Sequence, residues 1–172
     1  MNSAALVLPR HALAWIGAAT LLASVAGLSH RGQDAPSSPR PRLYRVIVPV
    51  PDIERGIEFY TELLGIEGET VSPGRHYFDC GGCTLALYEP EGNGDSGIAQ
   101  PLPDHVYFAV PDLENVFARA QRLGGLSTET GDGGLPMGEI AVRPWRERSF
   151  YLRDPFGSPL CFVDEKTVVT GR

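Results

Sequence analysis

The sequence predicts an α+β domain made of two βαβββ modules. The segment VPVPDIERGIEFYTELLG (48–65) recurs, at a constant offset of 60 residues, as FAVPDLENVFARAQRLGG (108–125). In both copies a β-branched and aromatic run leads into a Pro-Asp pair and then into an amphipathic helical pattern that ends in glycine. Two copies are too few for a stacked repeat protein, so they indicate two like halves of one domain.

Each copy is expected to begin with a strand and to continue as a helix. The strands fall at Leu43–Val50 and Val106–Val110, and the proline that follows each of them cannot donate to a strand ladder. Asp52 and Asp112 come next and can accept hydrogen bonds from the free amides of a helix N-terminus. The glycines predicted to end the two helices are Gly65 and Gly125.

Three short strands are expected after each helix. In the first half, Gly81-Gly82 separates the last two strands and is typical of a tight hairpin turn of the primed type. The strands predicted after the helices are Ile66–Val71, Arg75–Cys80 and Cys83–Tyr88 in the first half, and Leu126–Thr130, Arg148–Arg153 and Leu160–Val163 in the second.

The chain divides into four parts: a hydrophobic segment (1–28), a Pro-rich flexible linker (29–42), the domain (43–165) and a C-terminal tail (166–172). Ser24 and Ala26 fit the small-residue rule of a signal-peptidase site. A signal peptide, a membrane anchor, an organelle transit peptide and a start codon placed too far upstream all remain open. The protein is expected to be exported or membrane-anchored if residues 1–28 are a true signal or anchor, and cytoplasmic otherwise.

Charge narrows the classes of partner. The whole chain has a formal charge of −6. Four arginines and one aspartate give residues 1–42 a charge of +3, which leaves −9 for residues 43–172. Such an acidic domain repels phosphate backbones and anionic lipid, so nucleic acid is not expected as a partner. Cationic or neutral small molecules remain open as ligands.

Residues 43–165 as a whole resemble the vicinal-oxygen-chelate (VOC) superfamily of glyoxalases, bleomycin-resistance proteins and extradiol dioxygenases. The resemblance is carried by VPVPDIERGIEFYTELLG, by DHVYFAVPDLENVFARAQRLGG (104–125) and by RPWRERSFYLRDPFGSPLCFVDE (143–165). The last stretch is similar to the bleomycin-resistance and glyoxalase-like branches. The resemblance implies a glyoxalase-like domain with a ligand cleft, which closes within one chain or across a homodimer, and it leaves the reaction open.

Metal-using members of this superfamily carry ligands on the first and last strands of each half, and the matching positions here are Arg45, Ala86, His105 and Cys161. Arg45 offers no lone pair, Ala86 has no donor atom, and one imidazole does not hold a divalent ion. The sulfur of Cys161 is a poor partner for hard ions. The sequence therefore predicts no metal cofactor. The alternative is a divalent ion such as Zn, Ni, Mn or Fe bound through His105 and Cys161.

Arg45 and His105 have two interpretations. The resemblance implies that they face the cleft as a cationic pair for a carboxylate, phosphonate or enolate-like ligand. Otherwise Arg45 is a strand residue paired with an acid, and His105 is a histidine of the core. Trp145, Tyr107, Tyr151 and Phe150 are candidates for an aromatic wall. The predicted ligand-binding residues are Arg45, His105, Trp145, Cys161 and Tyr107, and no catalytic residue is assigned.

The pair Cys80 and Cys83 has the CxxC spacing of redox and zinc motifs. Its flanking residues are strand-like, whereas a redox pair of this kind lies at a helix N-terminus. A zinc site would need a second pair of ligands, and none has the right spacing. The sequence assigns these cysteines no function, and a disulfide across the hairpin is an option if the domain is exported.

The predicted function is binding of a hydrophobic or cationic small molecule by a glyoxalase/bleomycin-resistance-like protein without a metal. The alternative is a metal-dependent VOC enzyme, of the lyase, isomerase or dioxygenase type, with an atypical ligand set. A third hypothesis, an envelope-anchored interaction module, depends on residues 1–28 being an anchor.

Overall fold

The computed structural model describes residues 41–170. The predicted hydrophobic segment and nearly all of the predicted linker lie outside the described residues. Between residues 41 and 170, neither helix has the length and apolar character needed to cross a membrane.

The first module has the predicted βαβββ order. Strand β1 (Arg45–Pro49) leads into helix α1 (Ile53–Leu64), which is followed by β2 (Glu69–Ser72), β3 (Arg75–Asp79) and β4 (Thr84–Tyr88). The sheet order is β1-β4-β3-β2, with β1 parallel to β4 and the other pairs antiparallel. The two residues of the β3–β4 turn, Gly81 and Gly82, have φ values of 72° and 97°, as a primed turn requires.

The second module repeats this topology. It contains β5 (Val106–Val110), α2 (Leu113–Leu123), β6 (Ala141–Val142), β7 (Arg148–Arg153) and β8 (Pro159–Asp164). The sheet order is β5-β8-β7-β6, and β5 is parallel to β8. The predicted α+β fold of two βαβββ modules is confirmed, and within the described chain the two four-stranded sheets do not close into a barrel.

Both helices start at the predicted aspartates. The side chain of Asp52 accepts a hydrogen bond from the Arg55 amide at 3.0 Å, and that of Asp112 accepts one from the Asn115 amide at 3.0 Å. Gly65 ends the first helix with a φ of 69°.

The predicted end of the second helix was wrong by one residue. Gly124, with a φ of 79°, follows the last helical residue, and its amide donates to the carbonyl of Ala120. Gly125 instead accepts a hydrogen bond from the Arg153 amide at 2.8 Å. This bond ties Gly125 to the end of β7, so the chain has to leave the helix one residue earlier than in the first module.

The predicted strand at Leu126–Thr130 was also wrong. Leu126 and Thr130 form only isolated bridges, and the edge strand beside β7 is β6. The amide of Ser127 donates to the carbonyl of Tyr151 at 3.0 Å, but the amide of Tyr151 donates to the carbonyl of Met137 at 2.9 Å. Because Met137 takes the next pairing position on β7, the segment after Ser127 cannot continue as a strand there.

The core lies between each sheet and its helix. In the second module, Phe108, Phe162 and Phe150 stack across β5, β8 and β7, and Phe117 of α2 packs edge-on against Phe150 at 5.0 Å. Side chains alternate between the two faces of a strand. Tyr107, Cys161 and Tyr151 therefore lie on the face opposite α2, called the open face below.

A buried histidine in the first module predicts a pH-dependent stability. His76 is 6% exposed; its Nδ1 lies 2.9 Å from the Thr70 hydroxyl, and its Nε2 has no hydrogen-bond partner within residues 41–170. Burial lowers the pKa of His76, and the charges of Glu54 and Glu67 offset this only in part. Below the unfolded-state pKa of about 6.5, the unfolded chain binds more protons than the folded one.

We therefore expect stability to fall as the pH drops from about 6.5 through the lower folded-state pKa of His76. Urea unfolding of the wild type and of His76→Leu between pH 8 and pH 5 measures this. The variant should show a smaller loss of unfolding free energy with acidification, whatever its stability at pH 8. An identical loss in both proteins would assign the effect to other groups.

Candidate ligand-binding site

The open face of the second sheet carries a cavity of about 260 Å³. Strand alternation places its aromatic residues on one face. His105 lies immediately before β5 and Tyr107 lies two residues later within it, and Tyr151 points to the same face from β7. The residues lining this cavity are His105, Tyr107, Gly131, Asp132, Met137, Arg143, Trp145 and Tyr151.

Strand register places Tyr107, Cys161 and Tyr151 side by side in a row across the open face. Tyr107 pairs with Cys161, and Cys161 pairs with Tyr151 on its other side. Cys161 is fully buried, whereas Tyr107 is 55% exposed. The cysteine therefore lies in the sheet between the two tyrosines and is not part of the cavity lining.

The rings stand at steep angles to each other. The centroids of His105 and Tyr151 are 5.1 Å apart with an interplanar angle of 79°, and those of Tyr107 and Tyr151 are 6.4 Å apart at 86°. Trp145 is 41% exposed, and its Nε1 donates to Oε2 of Glu147 at 2.9 Å. These contacts hold the rings while leaving much of Tyr107 and Trp145 accessible.

Arg143 is a part of the site that the sequence analysis did not identify. It is only 4% exposed, although it belongs to the cavity wall. It fixes the loop between α2 and β7 against β7 through hydrogen bonds to neutral oxygens. The acceptors are the Ser149 hydroxyl at 3.2 Å and the carbonyls of Pro136 at 3.2 Å, Met137 at 3.3 Å, Glu139 at 2.9 Å and Ser149 at 2.8 Å.

The imidazole, phenol and thiol groups at the cavity favour their uncharged forms at neutral pH. Burial, and secondarily the charge of Arg153, lowers the pKa of His105 below its usual 6.5. Burial likewise raises the phenol pKa of Tyr107 and Tyr151. The thiol pKa of Cys161 rises to about 12, mainly through burial, so this cysteine stays protonated.

Three of the predicted site residues, His105, Tyr107 and Trp145, share the cavity, and Arg45 does not line it. Arg45 lies in the first module, where its guanidinium carbon is 4.4 Å from the Tyr77 ring centroid and 5.1 Å from that of Tyr44. Its Nε is buried without a hydrogen-bond partner among residues 41–170.

The two other aromatic candidates separate by face. Tyr151 lines the cavity, whereas Phe150 is fully buried against α2 in the core. Since they are consecutive strand residues, only one of them could reach the open face.

The residues at the four family metal positions do not fit a metal centre. Arg45 and Ala86 offer no ligand atom, and Cys161 is fully buried in the sheet between Tyr107 and Tyr151. Across the described part of the chain, no three His, Cys, Asp or Glu side chains lie close enough together to hold an ion.

Cys80 and Cys83 flank the β3–β4 turn as half-buried free thiols. The Cys80 amide donates to the Cys83 carbonyl at 2.9 Å, and the Asp79 side chain accepts from the amides of Gly81 and Gly82. The pair therefore flanks a hairpin turn and does not lie at a helix N-terminus, as the flanking sequence predicts.

Solved structures with the same fold include a lactoylglutathione lyase from Agrobacterium tumefaciens, with 22% identity and a TM-score of 0.54 over 74% of this chain and 96% of that one. A glyoxalase-related enzyme from Fulvimarina pelagi has 17% identity and a TM-score of 0.58 over 77% and 94%. The oxidase ChaP-H2 has 22% identity and a TM-score of 0.57 over 73% and 94%. Similarity at this level of identity shows the fold alone.

Among curated proteins, no significant match is found. The family model for the Glyoxalase/Bleomycin resistance protein/Dioxygenase superfamily matches residues 42–162, which is more than two thirds of the chain. The resemblance seen in the sequence is thereby confirmed, and the chain belongs to this superfamily.

Proposed function

We propose that this protein binds a single-ring organic molecule in the cavity on the open face, and that binding needs no metal ion. The observation that carries the proposal is the convergence of His105, Tyr107, Tyr151 and Trp145 around one space of about 260 Å³. Small-molecule sites are concave, lined by aromatic groups and completed by a few polar ones. The volume lies just below the usual range for drug-sized ligands, which favours a compact ligand.

The protonation states of the thiol and the phenols support binding without catalysis. The Cys161 thiol is protonated and buried, and the phenols of Tyr107 and Tyr151 have raised pKa values. A thiol or phenol that acts as a nucleophile or general base at neutral pH needs a lowered pKa, not a raised one. Neutral His105 remains able to donate one hydrogen bond and accept another, which suits it to orienting a ligand.

Trp145 supplies a direct readout of binding. The chain has two tryptophans, Trp15 and Trp145. In a full-length Trp15→Phe variant, all tryptophan fluorescence therefore comes from Trp145 in the cavity wall. We expect at least one of benzoate, benzamide and benzamidinium to change this emission saturably, with a Kd on the order of 1 mM, or about −4 kcal/mol. A linear response to all three, without saturation, would contradict the proposal.

Tyr107→Ala should weaken the best probe roughly tenfold, because it removes one aromatic wall and about 1.4 kcal/mol of contact. Ile47 is the matched control: it occupies the equivalent position of the first module, 60 residues earlier, and is 47% exposed. Ile47→Ala should leave the affinity unchanged. Equal effects of the two substitutions would mean that the probe does not bind in this cavity.

Metal independence is tested separately by elemental analysis of the full-length protein and by thermal shift with Zn²⁺, Ni²⁺, Mn²⁺ and Fe²⁺. A ligand that prefers the native state raises the melting temperature. We expect no stoichiometric metal and shifts below about 1 °C at micromolar ion concentrations, because two of the four family positions, Arg45 and Ala86, lack ligand atoms. An ion that stabilises the wild type but not His105→Ala would replace this proposal with a metal-dependent activity.

A further inference from the structure

We infer that the cavity selects anionic ligands, specifically a planar acid whose carboxylate or enolate oxygen faces the guanidinium of Arg143. The inference rests on the proposed small-molecule binding and adds the charge of the ligand. It departs from the cationic ligand that the sequence analysis names as one alternative, with which the acidic composition of the domain agrees.

Arg143 is a buried positive charge without a counter-charge. All five oxygens that accept from it are carbonyls or a hydroxyl. None of the acidic side chains in residues 41–170 forms a salt bridge with it. A buried ion that lacks an opposite charge is costly, so an anion placed beside it gains more than it would at an exposed arginine.

The Arg143 guanidinium has a hydrogen-bond donor left over. It carries five N–H groups, and its Nη1 makes one hydrogen bond, to the Pro136 carbonyl, although it has two hydrogens. The remaining hydrogen finds no acceptor within residues 41–170, and Arg143 is part of the cavity wall. A carboxylate or enolate oxygen is the acceptor that makes the strongest bond with such a donor.

The other polar groups of the wall are also hydrogen-bond donors. The phenols of Tyr107 and Tyr151 keep their protons and can donate, and neutral His105 can donate from one ring nitrogen. Together with Arg143, these side chains offer donors to an acceptor-rich ligand.

Four acids lie near this wall, and none of them reverses its preference. The charges of Asp104 and Glu129 act on His105, but both acids are exposed, and Glu129 already pairs with Arg153 at 3.0 Å. Asp132 lines the cavity but is exposed, so water and salt screen its charge. The Glu147 carboxylate already accepts from Trp145 Nε1 at 2.9 Å and from the Val169 amide at 3.0 Å. Arg143 is buried, whereas Asp132 and Glu147 are not, so the buried charge at this wall is positive.

An aromatic wall can also attract a cation, which is the competing interpretation. Here the guanidinium carbon of Arg143 already lies 5.1 Å from the Tyr151 ring centroid. A cationic ligand at the same ring would meet a buried positive charge, and at short range in a protein interior that repulsion exceeds the attraction of the ring.

Three probes of equal size and different charge test the inference: benzoate, benzamide and benzamidinium, titrated into full-length Trp15→Phe protein at pH 7.5. We expect benzoate to bind at least about tenfold more tightly than benzamide, and benzamidinium to bind most weakly. If benzamide or benzamidinium binds as tightly as benzoate, the charge preference is overturned while small-molecule binding stands. If no probe binds, the proposed function fails and the inference fails with it.

Arg143→Met, in the same background, should lose the advantage of benzoate over benzamide, so that the two affinities agree within about threefold. The matched control is Arg122→Met, which makes the same change of charge on the exposed surface of α2 and should keep the tenfold preference. Circular dichroism establishes that each variant is folded. A folded Arg143→Met protein that still prefers benzoate overturns the inference, and the wild-type probe series decides the matter independently if this variant does not fold.

Discussion

Replacing Asp154 with alanine is expected to destabilise the domain by about 3–5 kcal/mol, a large part of the 5–15 kcal/mol that holds a typical domain folded. Asp154 is 5% exposed; its Oδ2 accepts from the Tyr60 hydroxyl at 2.9 Å, and its Oδ1 accepts from the amides of Phe156 and Ser158 at 2.9 and 2.8 Å. The substitution leaves three donors without this acceptor, and two of them, the Tyr60 hydroxyl and the Ser158 amide, are buried. Chemical denaturation of the full-length protein measures the loss.

Tyr60→Phe is the control for the Asp154 substitution, because it removes one of these hydrogen bonds and leaves the two amide bonds in place. It should cost about 1–1.5 kcal/mol. The hydroxyl of Tyr60 is the right group for this test, since burial and then Asp154 raise its pKa and keep it a donor. A loss of less than about 1.5 kcal/mol in Asp154→Ala would show that water replaces the carboxylate, and that this link between the two modules is weak.

The second large effect is expected for Phe162→Ala, at about 3–5 kcal/mol. Phe162 is fully buried between two parallel rings, 5.0 Å from Phe108 and 5.5 Å from Phe150. Its removal loses the transfer free energy of the ring and leaves a space that three strands of one sheet cannot easily close. Thermal and chemical unfolding should both show the change.

Tyr107→Ala is a control from the same sheet. It also removes an aromatic ring, but from a side chain that is 55% exposed on the opposite face, so its cost should stay below about 1 kcal/mol. Phe162→Leu should cost less than about 1.5 kcal/mol because most of the volume is kept. A loss in Phe162→Ala no larger than that in Tyr107→Ala would mean that the neighbouring rings close the space.

The two modules share a topology but differ at the positions that face the cavity. At the offset of 60 residues, Arg45 corresponds to His105 and Ile47 corresponds to Tyr107. In the first module the guanidinium of Arg45 packs on Tyr44 and Tyr77, whereas in the second module His105 and Tyr107 surround a cavity with Tyr151. The internal repeat therefore preserves the strands and caps, and side-chain differences confine the proposed binding to one half.

Some site residues could be predicted from the sequence because a local rule places them. The period of two along a strand puts His105 and Tyr107 on one face, and it also separates Tyr151 from Phe150. Arg143 could not be predicted in this way. An arginine before a proline in a Gly-rich loop is typical of an exposed residue, and only the folded loop surrounds it with five oxygens.

Three features could be predicted from the sequence alone: the superfamily, the two βαβββ modules and the helix starts at Asp52 and Asp112. These features depend on hydrophobic period, proline and capping chemistry, which act between residues close in the chain. The folded chain was needed to show that Met137, and not the segment after Ser127, pairs with β7, and that Arg143 is buried beside the cavity. Both outcomes depend on how the loop between α2 and β7 folds against β7, and hydrophobic period and capping rules do not encode that arrangement.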